Sequence, residues 1–275
     1  MTMLSRIVAA CIAIVLWWGG TVAAAPPLRI VTESWPPYVY ASDGHLKGVD
    51  WEVVQAVFQQ MDQPVELVFC PWKRCLFMIQ EKRADAILDV SHTPAREDFM
   101  TFPETPISQA PTTFFYRKGT PPPQSLTDVQ GRKVGTMAGY EYCPAIDSAG
   151  VIREDNKSLE SNFKKLMLGR VSLVIANTVV GTHTLEEMGL RDDIAVTWHL
   201  LLCHGEANYL AFSRKPELEP LARRFSEALR HFKTTPQYDA LLDRYGLNAE
   251  AIADHGAGVD RPAPADKPAA SPPPG

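Results

Sequence analysis

Between residues 28 and 90 the chain alternates two hydrophobic periods, and this alternation limits the possible folds more than any other feature. Residues 28–32, Leu-Arg-Ile-Val-Thr, alternate in polarity just after two prolines, which marks a strand. In 49–61, Val53, Val54, Val57, Phe58 and Met61 recur at helical spacing. A strand is predicted at 65–69, a helix at 76–82 with Leu76 and Ile79 on one side, and a more continuously apolar strand at 86–90. Strand, helix, strand, helix, strand requires parallel strands joined by right-handed crossovers, because a parallel pair cannot be closed by a tight turn.

A second unit of the same kind follows. Strands are expected at 113–116, 133–136, 151–152, 173–175 and 194–198. Helices are expected at 141–149, from Ser158 with Leu159, Phe163, Leu166 and Met167 on one face, and at 178–188. A strand at 209–212 and helices at 216–232 and 236–245 close the chain, with Pro216 and Pro236 near helix starts, where proline is tolerated. The pattern is α/β twice, with a returning element at the end. A chain of 275 residues is long enough for two such units. In open α/β sheets, ligands bind beyond the carboxyl ends of the strands.

The ends of the chain have a different character. Arg6, the apolar run 7–18 and Val22-Ala23-Ala24 have the layout of an export signal over residues 1–24, with cleavage expected after Ala24. The apolar run is too short for a spanning helix and is interrupted by Gly19 and Gly20. Cys11 falls inside this signal. Residues 253–275, rich in Ala, Pro and Gly, have almost no large apolar side chain and are expected to be disordered. Export implies an oxidising compartment, so Cys70, Cys75, Cys143 and Cys203 are disulfide candidates with three possible pairings. They lack the short Cys/His repeat of a structural zinc site. The net charge of −5, without a long Lys/Arg run, argues against nucleic acid as a partner.

Several strings in this order resemble the family 3 extracellular solute-binding proteins, the periplasmic receptors of polar amino-acid ABC importers. They are Leu28-Arg29-Ile30-Val31-Thr32-Glu33 with Trp35-Pro36-Pro37-Tyr38, Gly48-Val49-Asp50-Trp51-Glu52-Val53, Ala84-Asp85-Ala86-Ile87 and Thr93-Pro94-Ala95-Arg96. Further along stand Gly131-Arg132-Lys133-Val134-Gly135, Gly169-Arg170-Val171 leading to Val174-Ile175-Ala176, and Tyr209-Leu210-Ala211-Phe212. Pro71-Trp72-Lys73-Arg74-Cys75-Leu76 is similar to a subset of that family. The resemblance spans about 28–245. It implies the type II periplasmic binding protein fold, with discontinuous lobes joined by a two-segment hinge. Lobe one would be 26–110 plus 207–252, and lobe two 111–206. Pairing Cys70 with Cys75 and Cys143 with Cys203 would keep each bridge within one lobe.

The resemblance also implies a site. Arg96 corresponds to the arginine that clamps a ligand carboxylate, a contact that guanidinium makes bidentately. Thr93 is the expected N-cap and Pro94 the expected N1 of its helix, so Arg96 would oppose the helix dipole unless an anion compensates. The alternative is an internal salt bridge. Ser91 matches a ligand-holding hydroxyl, whereas Asp89 stands where a small residue is usual and could take a ligand ammonium or pair with Arg96. Trp35 matches a stacking aromatic; Trp72 could form a second aromatic wall or belong to the core. Arg74, near a helix start, could hold a second anionic group or lie on the surface.

In lobe two, Tyr140 and Glu141 replace small hydroxyl residues at an expected helix start, which puts the usual carboxylate contact there in doubt. Asn177 replaces the aspartate that takes the α-ammonium, or caps the helix from Thr178. The function implied is capture of a small carboxylate-bearing solute for an ABC importer by a monomeric periplasmic receptor, without cofactor or metal. Two alternatives remain: a cyclohexadienyl-dehydratase-like lyase with Glu33 or Glu141 as acid, and a soluble sensor acting in trans.

Overall fold

The computed structural model describes residues 26–109, 111–198, 200 and 207–247. The expected export signal, the tail and Cys203 lie outside the described residues. The first sheet is built from β1 (Leu28–Thr32), β4 (Val65–Phe69), β5 (Ala86–Ser91), β6 (Met100–Thr101), β7 (Ser108–Gln109) and β13 (Ala207–Ser213), while β2 (Tyr40–Ser42) and β3 (His45–Lys47) pair as a separate hairpin. Its order is β4-β1-β5-β13-β6, with β7 also pairing β13. β1 is parallel to both β4 and β5, as the two predicted crossovers require, whereas β13 returns antiparallel.

Alternation along these strands sorts the apolar side chains onto two faces. Leu28, Ile30, Leu88, Leu210 and Phe212 pack with α1 (Val49–Gln60) and α7 (Glu219–Phe232), through Trp51, Val54, Phe58, Phe225 and Leu229. On the opposite face Val31, Ile87, Val90 and Ala211 meet α2 (Trp72–Gln80), through Cys75 and Ile79. Cys70 at the end of β4 is bonded to Cys75 on α2, with Cα atoms 5.7 Å apart. Cys143 is disulfide-bonded as well.

The second sheet holds β8 (Thr112–Arg117), β9 (Lys133–Met137), β10 (Ile152–Asn156), β11 (Leu173–Asn177) and β12 (Ile194–Val196), in the order β10-β9-β11-β8-β12. Helices α5 (Leu159–Met167) and α6 (Thr178–Glu187) cover it, with Phe163, Leu166, Val180 and Leu185 buried among Phe115 and Val174. All its strands precede β13, so the chain leaves the first sheet after β7 and re-enters it at β13. At that crossing Ser108 and Gln109 pair with Asn208 and Ala207. The result is the two-lobed α/β architecture of type II periplasmic binding proteins.

Two helix starts differ from expectation, and proline explains both. α2 begins at Trp72, earlier than the predicted 76, with Pro71 as its N-cap. α4 (Pro144–Ser148) begins at Pro144 rather than residue 141. The residue before a proline is pushed out of the helical region, and Cys143 is accordingly extended at φ −65° and ψ 157°. Tyr140 and Glu141 therefore belong to a loop and not to a helix.

Candidate functional site

A cleft of about 230 Å³ opens between the two sheets. Its walls come from the carboxyl ends of strands: Thr32 ending β1, Asp89 and Ser91 on β5, Met137 ending β9 and Asn177 ending β11. That is where open α/β sheets place a ligand. Of the nine residues expected from sequence, eight line this cleft: Trp35, Trp72, Asp89, Ser91, Arg96, Tyr140, Glu141 and Asn177. Arg74 does not. Trp72, Cys75 and Ile79, three and four apart, form the buried stripe of α2, and Arg74 falls off that stripe into solvent.

Arg96 sits on α3 (Pro94–Glu97), a single turn that follows β5, and its side chain is 3% exposed. Nη1 donates to the carbonyl and to the hydroxyl of Ser91, both at 2.7 Å. Nε stands 3.8 Å from a Glu141 carboxylate oxygen, and the guanidinium lies 5.9 Å over the Trp72 ring. Thr93 holds the cap position, but its hydroxyl makes no cap bond. One turn has little dipole to oppose. Burial, not the dipole, weakens the charge, lowering the Arg96 pKa, and the carboxylate of Glu141 partly restores it. A desolvated guanidinium needs an anion to repay its lost hydration.

Across the cleft, the Tyr140 hydroxyl donates to Glu33 at 2.5 Å, and the Tyr140 ring meets Trp72 edge-on at 6.0 Å. These contacts, with Arg96–Glu141, tie the loop after β9 to the first sheet. Trp35 stacks on Tyr38 with ring centroids 4.9 Å apart. Asn177 caps α6: its Oδ1 accepts from the backbone N–H of Val179 and Val180 at 2.9 and 3.0 Å. Its Nδ2 is turned to the Tyr38 hydroxyl, and Trp72 Nε1 is buried without a hydrogen-bond partner among the described residues. Among the described residues no group of three or more His, Cys, Asp or Glu is placed to hold a metal.

The residue that sequence reasoning missed is Asp50, 1% exposed in the first turn of α1. It accepts a 2.5 Å hydrogen bond from Ser108, which also receives one from Asn208. The signal was present in the helical spacing, because Asp50 falls on the same stripe as Val53, Val54 and Val57. Asp50 stands behind Asp89. Burial raises the pKa of both carboxyls, and the charge of Asp50 raises Asp89 further. Burial also raises Glu33, against the hydrogen bond from Tyr140.

These shifts carry a sign for stability. Between the ordinary carboxylate range and the raised values, the folded chain keeps protons that the unfolded chain has released. Their contribution is fully present in acid and is lost as pH rises through the native pKa values. For Asp50, raised to about 6, that window spans mildly acidic pH. Asp50→Asn is expected to shrink the difference in melting temperature between pH 5 and pH 7.5 by roughly 2–6 °C, since 1 kcal/mol moves a chain of this size by about 2–4 °C. Melting curves of wild type and variant at the two pH values check this; an unchanged difference would remove Asp50 from the linkage.

The comparisons with known proteins agree with this fold. A probable amino-acid-binding protein, YxeM of Bacillus subtilis (strain 168), is 23% identical over 159 residues, a match spanning 56% of this chain and 60% of that relative. The structure of an ancestral arginine-binding protein bound to arginine superposes with a TM-score of 0.69 at 21% identity, covering 81% of this chain and 99% of the other. A histidine kinase sensor domain similar to periplasmic binding proteins superposes equally well, at 21% identity over 81% of this chain and 96% of its own. Matched over residues 28–248 to the model of the bacterial extracellular solute-binding proteins, family 3, the chain belongs to that family.

Proposed function

We propose that the protein is a periplasmic receptor that closes its cleft around a small carboxylate-bearing solute, an amino acid or a close relative, and delivers it to the membrane subunits of an ABC importer. The observation that carries this reading is Arg96: a buried guanidinium facing the cleft, oriented by Ser91 through Nη1. Among the described residues its Nη2 has no hydrogen bond, which leaves a donor edge for a carboxylate. Trp35 and Trp72 supply the aromatic walls. The amino-acid class comes from the names of the relatives; the carboxylate comes from the arginine.

Thermal-shift titration with the twenty L-amino acids and the matched acids lacking the amino group tests the reading. A true ligand at about 100 times its Kd adds roughly 2.7 kcal/mol. The expected result is a melting temperature raised by about 5–10 °C. A screen in which no carboxylate shifts the transition would overturn it.

A further inference from the structure

We propose that Asp89 is the seat of the ligand's ammonium group, so that both charged ends of the solute are read from one corner of the first lobe. This rests on the receptor reading and adds to it the residue that recognises the amine. The backbone is built to aim this side chain. Among the described residues, four other than glycine have positive φ: Asp43, Asp62, Lys82 and Asp89. The first three lie in a hairpin turn or just after a helix, whereas Asp89, at φ 60°, interrupts a strand. Opposite it the register slips. Val90 pairs with Tyr209 and Ile87 with Ala211, so three steps along β5 face two along β13. That is a β-bulge, a device that re-aims a side chain beside a site.

The re-aimed carboxyl lines the cleft with both oxygens buried; among the described residues no N–H or hydroxyl donates to it, and its side-chain hydrogen bond is with the Asp50 carboxyl. Among the described residues no cation of the protein pairs with it. Arg96 is engaged by Ser91, Glu141 and Trp72 and does not pair with Asp89. Asp50 behind it is a second acid. Two buried acids side by side avoid mutual repulsion by keeping a proton, and an arriving cation would let the pair ionise; an ammonium brings three donors.

The opposite wall does not provide an alternative seat. The acceptor of Asn177 is occupied by the N-terminus of α6, and what remains is an amide donor, turned to the Tyr38 hydroxyl, that cannot accept from an ammonium. The cleft as a whole is acidic: Glu33, Asp89, Glu141, Glu160 and Glu187 line it, against Arg96 and Lys157.

Asp89→Asn is the discriminating variant, because asparagine tolerates the left-handed backbone; Asp89→Gly, free at the same φ, serves as the second. The probes are the L-amino acids and the same acids lacking the amino group, titrated by calorimetry into wild type and variants. In wild type the amino compound that binds best is expected to outbind its deaminated counterpart by about 30-fold or more. Both variants are expected to lower its affinity by roughly 30- to 300-fold, and to leave the deaminated acid within about threefold of wild type. Unchanged affinity for the amino compound, or an equal loss for both series, would overturn the seat. Equal binding of both series by wild type would remove the seat and leave the receptor reading standing. Binding of neither series would remove the receptor reading and the seat with it.

Discussion

Arg96→Ala is expected to weaken carboxylate binding by roughly 100- to 1000-fold, because truncating one partner of a buried, hydrogen-bonded charge pair costs about 2–5 kcal/mol. The fold should survive. The guanidinium is held out of water at a cost that its lowered pKa records, so deleting it also removes a penalty. Glu141, whose side chain is 48% exposed, can return to solvent, and Ser91 loses one partner. The ligand-free melting temperature is therefore expected to move by only a few degrees, about 1–2 kcal/mol in a chain of this size. Arg96→Lys should fall between the two, since an ammonium keeps the charge but loses the planar fork. Calorimetry with the best ligand of the screen, beside melting curves, separates binding from stability. Undiminished affinity in the alanine variant would take Arg96 out of the site.

Gly48→Ala is expected to be the most damaging single methyl on the lobe-one side of the cleft. A Cβ built at Gly48 would lie 2.3 Å from the Tyr38 carbonyl oxygen and 2.7 Å from the Val39 Cα, all of it backbone that no side-chain rotation can clear. The residue sits at φ 119°, which L side chains rarely adopt. It also anchors α1: its carbonyl accepts from Glu52 N–H at 2.9 Å, and its own N–H donates to the Tyr245 hydroxyl at 2.9 Å. Relief requires moving either the start of α1, with Asp50 on it, or the 35–39 loop that carries Trp35 and Tyr38. Overpacking typically costs about 1–3 kcal/mol and a forbidden backbone region adds about 1–3 more. A loss of roughly 3–5 kcal/mol is expected in urea unfolding. A variant within about 1 kcal/mol of wild type would show that this junction is more pliable than its packing implies.

Most of the residues that line the cleft were legible in sequence because they sit in the short local strings that carry the family resemblance. Arg96 follows Thr93-Pro94 on the turn after a strand, and Trp35, Ser91 and Asn177 each end or follow a predicted strand. Arg74 does not line the cleft, because its position relative to the stripe of Trp72, Cys75 and Ile79 turns it outward. The helix expected at 141–149 is shorter, because Pro144 holds Cys143 extended. Helical spacing places Asp50 on the buried stripe of α1, whereas its partners Ser108 and Asn208 lie far away in the chain and are set only by folding.

Period and punctuation are local properties, set by which side chains must turn away from water and where proline stops a helix. For that reason the order of strands and helices, the two α/β units and the corner that holds Arg96 could be read from the amino acids alone. Which charges face one another could not. The engagement of Arg96 by Glu141, the bulge that turns Asp89 inward and the acid behind it depend on segments far apart in the chain. Desolvation and Coulomb interaction depend on those through-space distances, and only the folded packing sets them.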